Sequence, residues 1–254
     1  MSHHMTEVRD LQFIYPDGHK AIKRMTFTIH HGESVGIIGA NGAGKSTLLM
    51  LLMGVLFPSQ GEVRVGEVLV TKKTLPIVRQ RMGMVFQNPD DQLFMNTVYE
   101  DVAFGPRNYK LDEQEVEKRV LQALEMVGIS HLKDRAPYKL SGGEKRAAAI
   151  AAVLSMQPDI LIMDEPSSAL DPKSRRRLMK LLQGFEHTKI ITSHDIDMVY
   201  ELCDRIIVIH QGQVAADGPT AEILTNAELL DACGLEMPLS LQGCPVCGCG
   251  KGKQ

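Results

Sequence analysis

Eight residues constrain this chain more than any others: Gly39-Ala40-Asn41-Gly42-Ala43-Gly44-Lys45-Ser46. The pattern is G-x-x-x-x-G-K-[ST]. It demands a backbone turned so tightly that successive N–H groups point inward, and repeated glycines permit that turn. Such a loop is a cradle for a polyphosphate. Lys45 offers a charge for the β and γ phosphates, Ser46 offers a hydroxyl to Mg²⁺, and the helix that follows adds its N-terminal dipole. An apolar run at residues 34–38 precedes the loop and a helix-patterned run at 45–56 follows it, so the expected unit is strand, loop, helix. The plain alternative is a glycine-rich turn with an exposed lysine.

Other segments set that unit in a larger α/β frame. Residues 6–29 read as short strands around the turn Tyr15-Pro16-Asp17-Gly18, and Val63, Val65 and Val68 alternate with polar residues in 61–70, as in an antiparallel edge pair. Further strands are expected at 160–163, 189–192 and 205–210, and helices at 172–185, 196–202 and 222–233. The middle, about 88–157, is mostly helical. There Val116, Val120, Leu124 and Val127 fall at helical spacing, Asp112 and Glu115 suggest a capping box, and Gly128 can end the helix. A chain of 254 residues, 44% apolar, can bury a full core but leaves no room for two tandem copies.

Two further clusters carry chemistry. Ile160-Leu161-Ile162-Met163-Asp164-Glu165 is an apolar strand ending in two carboxylates, where Asp164 suits Mg²⁺ and Glu165 suits orienting or deprotonating a water. Alone, it reads equally as a strand with an acidic turn. Leu140-Ser141-Gly142-Gly143-Glu144 precedes an alanine-rich helical run at 145–155, and Ser141 with Glu144 forms an S-x-x-E capping box. Alone, that is a well-capped helix. Beside a phosphate loop, two glycines at a helix N-terminus point to a second anion contact.

The order of these motifs resembles the nucleotide-binding subunit of the ATP-binding cassette (ABC) transporters over about residues 8–220. The resemblance implies an α/β P-loop NTPase core of ABC ATPase type with an antiparallel β subdomain and a helical subdomain inserted at about 88–157. That domain would span 1–220, followed by a helical extension at 221–243 and a Cys/Gly-rich tail at 244–254. ATP would be held by Tyr15, Gly39, Asn41, Gly42, Ala43, Gly44, Lys45, Ser46 and Thr47, with Tyr15 stacked on adenine. Mg²⁺ would sit on Ser46, Gln87 and Asp164. Glu165, His194 and Gln87 would be catalytic, with His194 against the γ phosphate. Ser141, Gly142 and Gly143 would meet the γ phosphate bound by a second subunit, and Ser168 and Asp171 would lie in a loop crossing the dimer interface. One chain then supplies half of each site.

The stretches Phe86-Gln87-Asn88-Pro89-Asp90-Asp91-Gln92-Leu93-Phe94 and 97–106 are similar to the ATPases of energy-coupling-factor importers, and within these to the cobalt and nickel branch. That implies a second ATPase subunit, identical or paralogous, a transmembrane coupling subunit, a substrate-binding membrane subunit, and a place on the cytoplasmic face of the cell membrane. The coupling subunit's arginines would meet Asp90, Asp91 and Glu100 beside Gln87. A solvated acidic loop is the alternative. The resemblance does not cover Cys244, Cys247 and Cys249, three soft ligands that form either a metal site or a mobile tail.

Composition agrees with this reading. A formal charge of −3 gives no basic footprint for nucleic acid. No apolar run reaches the roughly 18 residues of a membrane span, the first four residues lack a signal peptide's apolar core, and an odd count of five cysteines suits a reducing cytosol. The rival reading, a soluble ABC-type ATPase in DNA repair or translation, calls for two cassettes or a long coiled-coil or zinc-hook insertion, and neither pattern is present.

Overall fold

A computed structural model describes residues 5–168 and 170–242. Strands β1 (Thr6–Ile14) and β2 (Lys20–Ile29) flank the Tyr15 turn, and β3 (Ser34–Ile38) leads through the glycine loop into α1 (Lys45–Leu52). Next come β4 (Gln60–Val65), β5 (Val68–Leu69), α2 (Leu75–Arg81) and β6 (Met82–Val85). Helices α3 (Val98–Asn108), α4 (Glu113–Met126) and α5 (Gly142–Leu154) fill the middle, followed by β7 (Ile160–Asp164) and α6 (Pro172–Gln183). The chain continues as β8 (Thr188–Thr192), α7 (Ile196–Leu202), β9 (Arg205–His210) and β10 (Gln213–Pro219), then α8 (Thr220–Thr225) and α9 (Ala227–Ala232).

Two compact units result. In the first, residues up to 78 join those from 188 onward. Its strands neighbour one another in the order β5, β4, β1, β2, β10, β9, β3, β8. Strand β1 runs antiparallel to β2 and β4, whereas β3 runs parallel to both β8 and β9. Every residue of β3 and β8 is buried, as parallel strands covered on both faces require. Because Ile37 is in register with Thr192, the segments after β3 and β8 leave the sheet at the same end.

The second unit is residues 79–187. Here β6 and β7 pair in parallel, with Val85 opposite Met163, so the segments after these strands also share one end. Helix α4 starts where Asp112 accepts from the Glu115 N–H at 3.0 Å, and it ends near Gly128 at φ 73°. Its buried Val116, Val120 and Leu124 contribute about 1.5–3 kcal/mol each by leaving water.

Three local readings need correction. Helix α1 stops at Leu52, short of residue 56, because Gly54 turns the chain at φ 63°, where a Cβ would lie 2.3 Å from Leu75 Cδ2. The single helix expected at 222–233 is two, broken at Asn226, whose side chain instead caps α9 by accepting from Leu229 N–H at 3.0 Å. Strand β10 was not expected. It pairs back on β9 through Gln211 and Gly212, both at positive φ, a turn whose sequence lacks the usual Asn-Gly signal.

Candidate functional site

The first unit builds the phosphate loop from backbone. Gly44 is the N-cap of α1 at φ 108°, and the first turn of that helix carries no acid, so its N-terminal field is left for a ligand. Gly42 is also left-handed, at φ 76°. Gly39 is required for space rather than for torsion, since a Cβ there would lie 2.3 Å from the Ile209 carbonyl oxygen. From behind, the Gly212 N–H donates to Ala43 O at 3.1 Å. The Lys45 ammonium is buried within the loop and donates to Gly39 O at 2.7 Å and Ala40 O at 3.2 Å. These are the parts of an anion site.

Two more of the sequence-derived residues join it there. The Tyr15 hydroxyl lies 3.0 Å from Thr47 Oγ1, and its ring is edge-on to Phe13, which ties the half-exposed aromatic to the flank of α1. His194 is exposed at the end of β8, two residues past Thr192 and so on the same sheet end as the loop. Behind it Asp195 caps α7 by accepting from Met198 N–H at 3.0 Å, which fixes the histidine's backbone.

The second unit gathers Gln87, Asp164 and Glu165 at the shared end of β6 and β7. Asp164 and Glu165 are 6% and 7% exposed. Glu165 has φ 48°, a left-handed backbone that costs a non-glycine residue about 1–2 kcal/mol and that the fold sustains at this one position of the segment. Arg146 was not singled out from sequence, yet it organises this end. Its guanidinium donates to Phe86 O at 2.6 Å and, by a short bond, to Gln87 O, and it senses the Asp164 charge while burial depresses its pKa. Its place on the third residue past the two glycines, one turn into an alanine-rich helix, was the available signal.

Ser141 and Glu144 form the full reciprocal capping box of α5, and the Ser141 N–H gives Glu144 Oε2 a 2.7 Å bond that holds this carboxyl below its ordinary range. Gly143 backs onto α6, where a Cβ would meet Ser174 Oγ at 2.8 Å, whereas a Cβ at Gly142 would meet nothing within 4 Å. Asp171 is the N-cap of α6, accepting from Lys173 N–H, Ser174 N–H and the Ser174 hydroxyl, and this holds its pKa down. Ser168 donates its N–H to Glu165 O at 3.1 Å, tying that loop to the acidic strand end.

The three proposed docking acids are not alike. Asp90 pairs with Lys145 at 2.6 Å, and Asp91 accepts from Asn88 Nδ2 at 3.3 Å. Glu100 has a buried Oε2 with no hydrogen-bond partner. It lines a pocket of about 320 Å³ with Phe104 and Arg107, next to an exposed edge-to-face pair of Phe94 and Phe104. Asp101, one residue on, is buried and accepts from the Phe94 and Met95 N–H groups, and burial raises its pKa. Cys244, Cys247 and Cys249 lie outside the described residues.

Comparison with known proteins identifies the family and the fold. Residues 22–168 match the family model described as ABC transporter. The chain is 64% identical over 248 residues to a putative ABC transporter ATP-binding protein of Geobacter sulfurreducens, covering 98% of this chain and 100% of that one. It is 46% identical to an energy-coupling factor transporter ATP-binding protein of Methanothermobacter thermautotrophicus, covering 92% and 77% of the two. Among solved structures, a part of the ABC transporter complex CbiONQ from Clostridium perfringens superposes with a TM-score of 0.79 at 41% identity, over 90% of this chain and 94% of that one. A dimeric ATP-binding cassette bound to ADP and Pi in a post-hydrolysis state gives a TM-score of 0.78 at 29% identity, over 85% and 98%.

Proposed function

The chain belongs to the ABC transporter family, whose cassettes bind and hydrolyse ATP, and from that premise we propose that it powers an energy-coupling-factor type importer, for cobalt or nickel ions, at the cytoplasmic face of a membrane. Two copies close on two ATP molecules, each nucleotide lying between the Gly39–Ser46 loop of one chain and the Ser141 helix of the other. No helix among the described residues is long and apolar enough to cross a membrane, so on this reading the membrane link runs through partner chains.

The roles of the residues follow from their settings. Backbone N–H groups of the loop and the Lys45 ammonium bind the phosphates, and Tyr15 orients the adenine. Ser46, Gln87 and Asp164 offer hard oxygen donors of the kind Mg²⁺ prefers, and the ion when bound neutralises charge on the β and γ phosphates. Glu165 orients the attacking water and accepts its proton, held in place by its buried, left-handed backbone. His194 donates toward the γ phosphate. In trans, the Gly142 and Gly143 N–H groups and Ser141 complete the contact. Glu165→Gln is expected to keep ATP bound while turnover falls about 10²–10⁴-fold, measured as single-turnover hydrolysis; undiminished turnover removes the role.

The observation that carries the partner reading is Glu100. A carboxylate oxygen buried without a partner, beside two exposed phenylalanines, suits an arginine on an apolar helix face. The test is co-purification from native membranes with identification of the associated chains and metal. An integral membrane coupling subunit, lost with Glu100→Arg while ATP binding persists, is the expected result. Recovery with soluble partners alone contradicts it. The similarity to a CbiONQ component and the sequence at 86–106 support cobalt or nickel as the cargo.

A further inference from the structure

Within the first unit, the chain leaves α9 through Gly234, at φ 66°, where a Cβ would lie 3.8 Å from the Ala40 side chain of the phosphate loop. Five and six residues on, Leu239 and Ser240 donate their N–H groups to the two oxygens of one carboxylate, Asp197 Oδ2 at 3.1 Å and Oδ1 at 2.9 Å. Asp197 stands in the first turn of α7, three residues past His194. Pro238 is buried just before the two donors, and its carbonyl accepts from the Leu241 and Gln242 N–H groups, so the segment closes in a hydrogen-bonded turn. The Gln242 side chain ties back to Met237 O at 2.8 Å.

An acid in the first turn of a helix gains from the dipole without any partner. Two charge-assisted N–H bonds reaching across 42 and 43 positions add a constraint that the helix end does not need for its own sake. Phosphate-handling residues stand at both ends of the segment. Ala40, beside Gly234, gives its carbonyl to Lys45 Nζ at 3.2 Å, and the backbone of His194 runs directly into the Asp195 cap of α7. That helix has seven residues, and so short a helix frays unless its first turn is held. We propose that residues 234–240 form a strap between the phosphate loop and α7, and that Asp197 is a positioning residue which, through the Leu239 and Ser240 N–H groups, fixes where His194 stands relative to the loop. The strap acts once ATP is bound and the histidine must meet the γ phosphate, and it adds little to the hold on a diphosphate. The proposal rests on the reading of His194 as the γ-phosphate contact.

The test uses the full-length chain in steady-state ATP hydrolysis, with ADP binding and thermal unfolding measured alongside. Asp197→Ala is expected to lower kcat about tenfold while KM for ATP and Kd for ADP stay within about twofold, because a displaced group costs turnover more than affinity. Its unfolding midpoint is expected to stay within about 5 °C of the native chain. Ser240→Pro deletes one donor N–H without touching α7 and is expected to lower kcat about threefold. The double variant is expected to be no slower than Asp197→Ala, since both changes cut the same contact. Native kcat in Asp197→Ala, equal losses of kcat and ADP affinity, or a double variant slower by the product of the two single effects overturns the strap. His194→Ala separates the two readings. If it is inactive while Asp197→Ala matches the native chain, the strap alone fails; if it retains full turnover, the γ-phosphate role fails and the strap with it.

Discussion

Among the described residues, two helix N-termini carry glycines, and they are built in opposite ways. Helix α1 begins at Gly44 with no acid in its first turn and no side-chain cap, and its loop is shaped wholly by backbone. Helix α5 begins at Ser141 with a complete capping box, so its own side chains satisfy the N-cap and N3 groups. The first N-terminus is incomplete without an anion. The second is complete as structure and exposes only the early N–H groups at Gly142 and Gly143, which suits a contact that is made and broken as two chains close.

The comparison breaks most visibly at its glycines. Gly39→Ala places a Cβ against the Ile209 carbonyl, and overpacking against backbone is expected to cost about 1–3 kcal/mol in denaturant unfolding, with ATP affinity lost as the loop opens. Native stability and tight ATP binding in that variant refute the cradle. At the other helix, Ser141→Ala removes the cap and is expected to cost about 1 kcal/mol. Gly142→Ala fills open space and is expected to raise stability by up to about 1 kcal/mol, yet to lower turnover by crowding the trans phosphate. A more stable variant with unchanged turnover makes α5 a structural helix only.

The smallest effect is electrostatic. The Glu144 carboxyl is held below its ordinary value of 4.5 by its bond to Ser141, so its contribution to stability is fully present above that value and lost as pH falls through the lower folded value. Thermal unfolding between about pH 6 and pH 3 is expected to show a steeper loss for the native chain than for Glu144→Gln. Helix α1, with no acid in its first turn, adds nothing to that slope.

Much of the frame was legible because it is locally encoded. Strand β3 and helix α7 fall at the expected residues, since each is a short apolar pattern with a nearby punctuating residue. What escaped was set by contacts distant in sequence. The break at Asn226 trades a helical turn for a side-chain cap, and β10 depends on pairing with β9. The site divides the same way. Glycines and carboxylates at strand ends announce themselves, whereas the hold of Arg146 on Gln87 spans 59 positions, and Lys145 reaches Asp90 across 55. No local pattern distinguishes the ion-paired Asp90 from Glu100, whose buried Oε2 has no hydrogen-bond partner.

On the proposed function, each catalytic site is made from two chains. Lys45→Ala disables the loop and leaves the α5 contribution intact; Gly142→Asp, an acid placed in open space at the helix N-terminus, repels the phosphate and leaves the loop intact. Each variant alone is expected to be inactive in steady-state ATP hydrolysis. Mixed and allowed to exchange, they form pairs in which one site has both intact halves, so turnover reappears. A mixture as inactive as either variant contradicts the composite site.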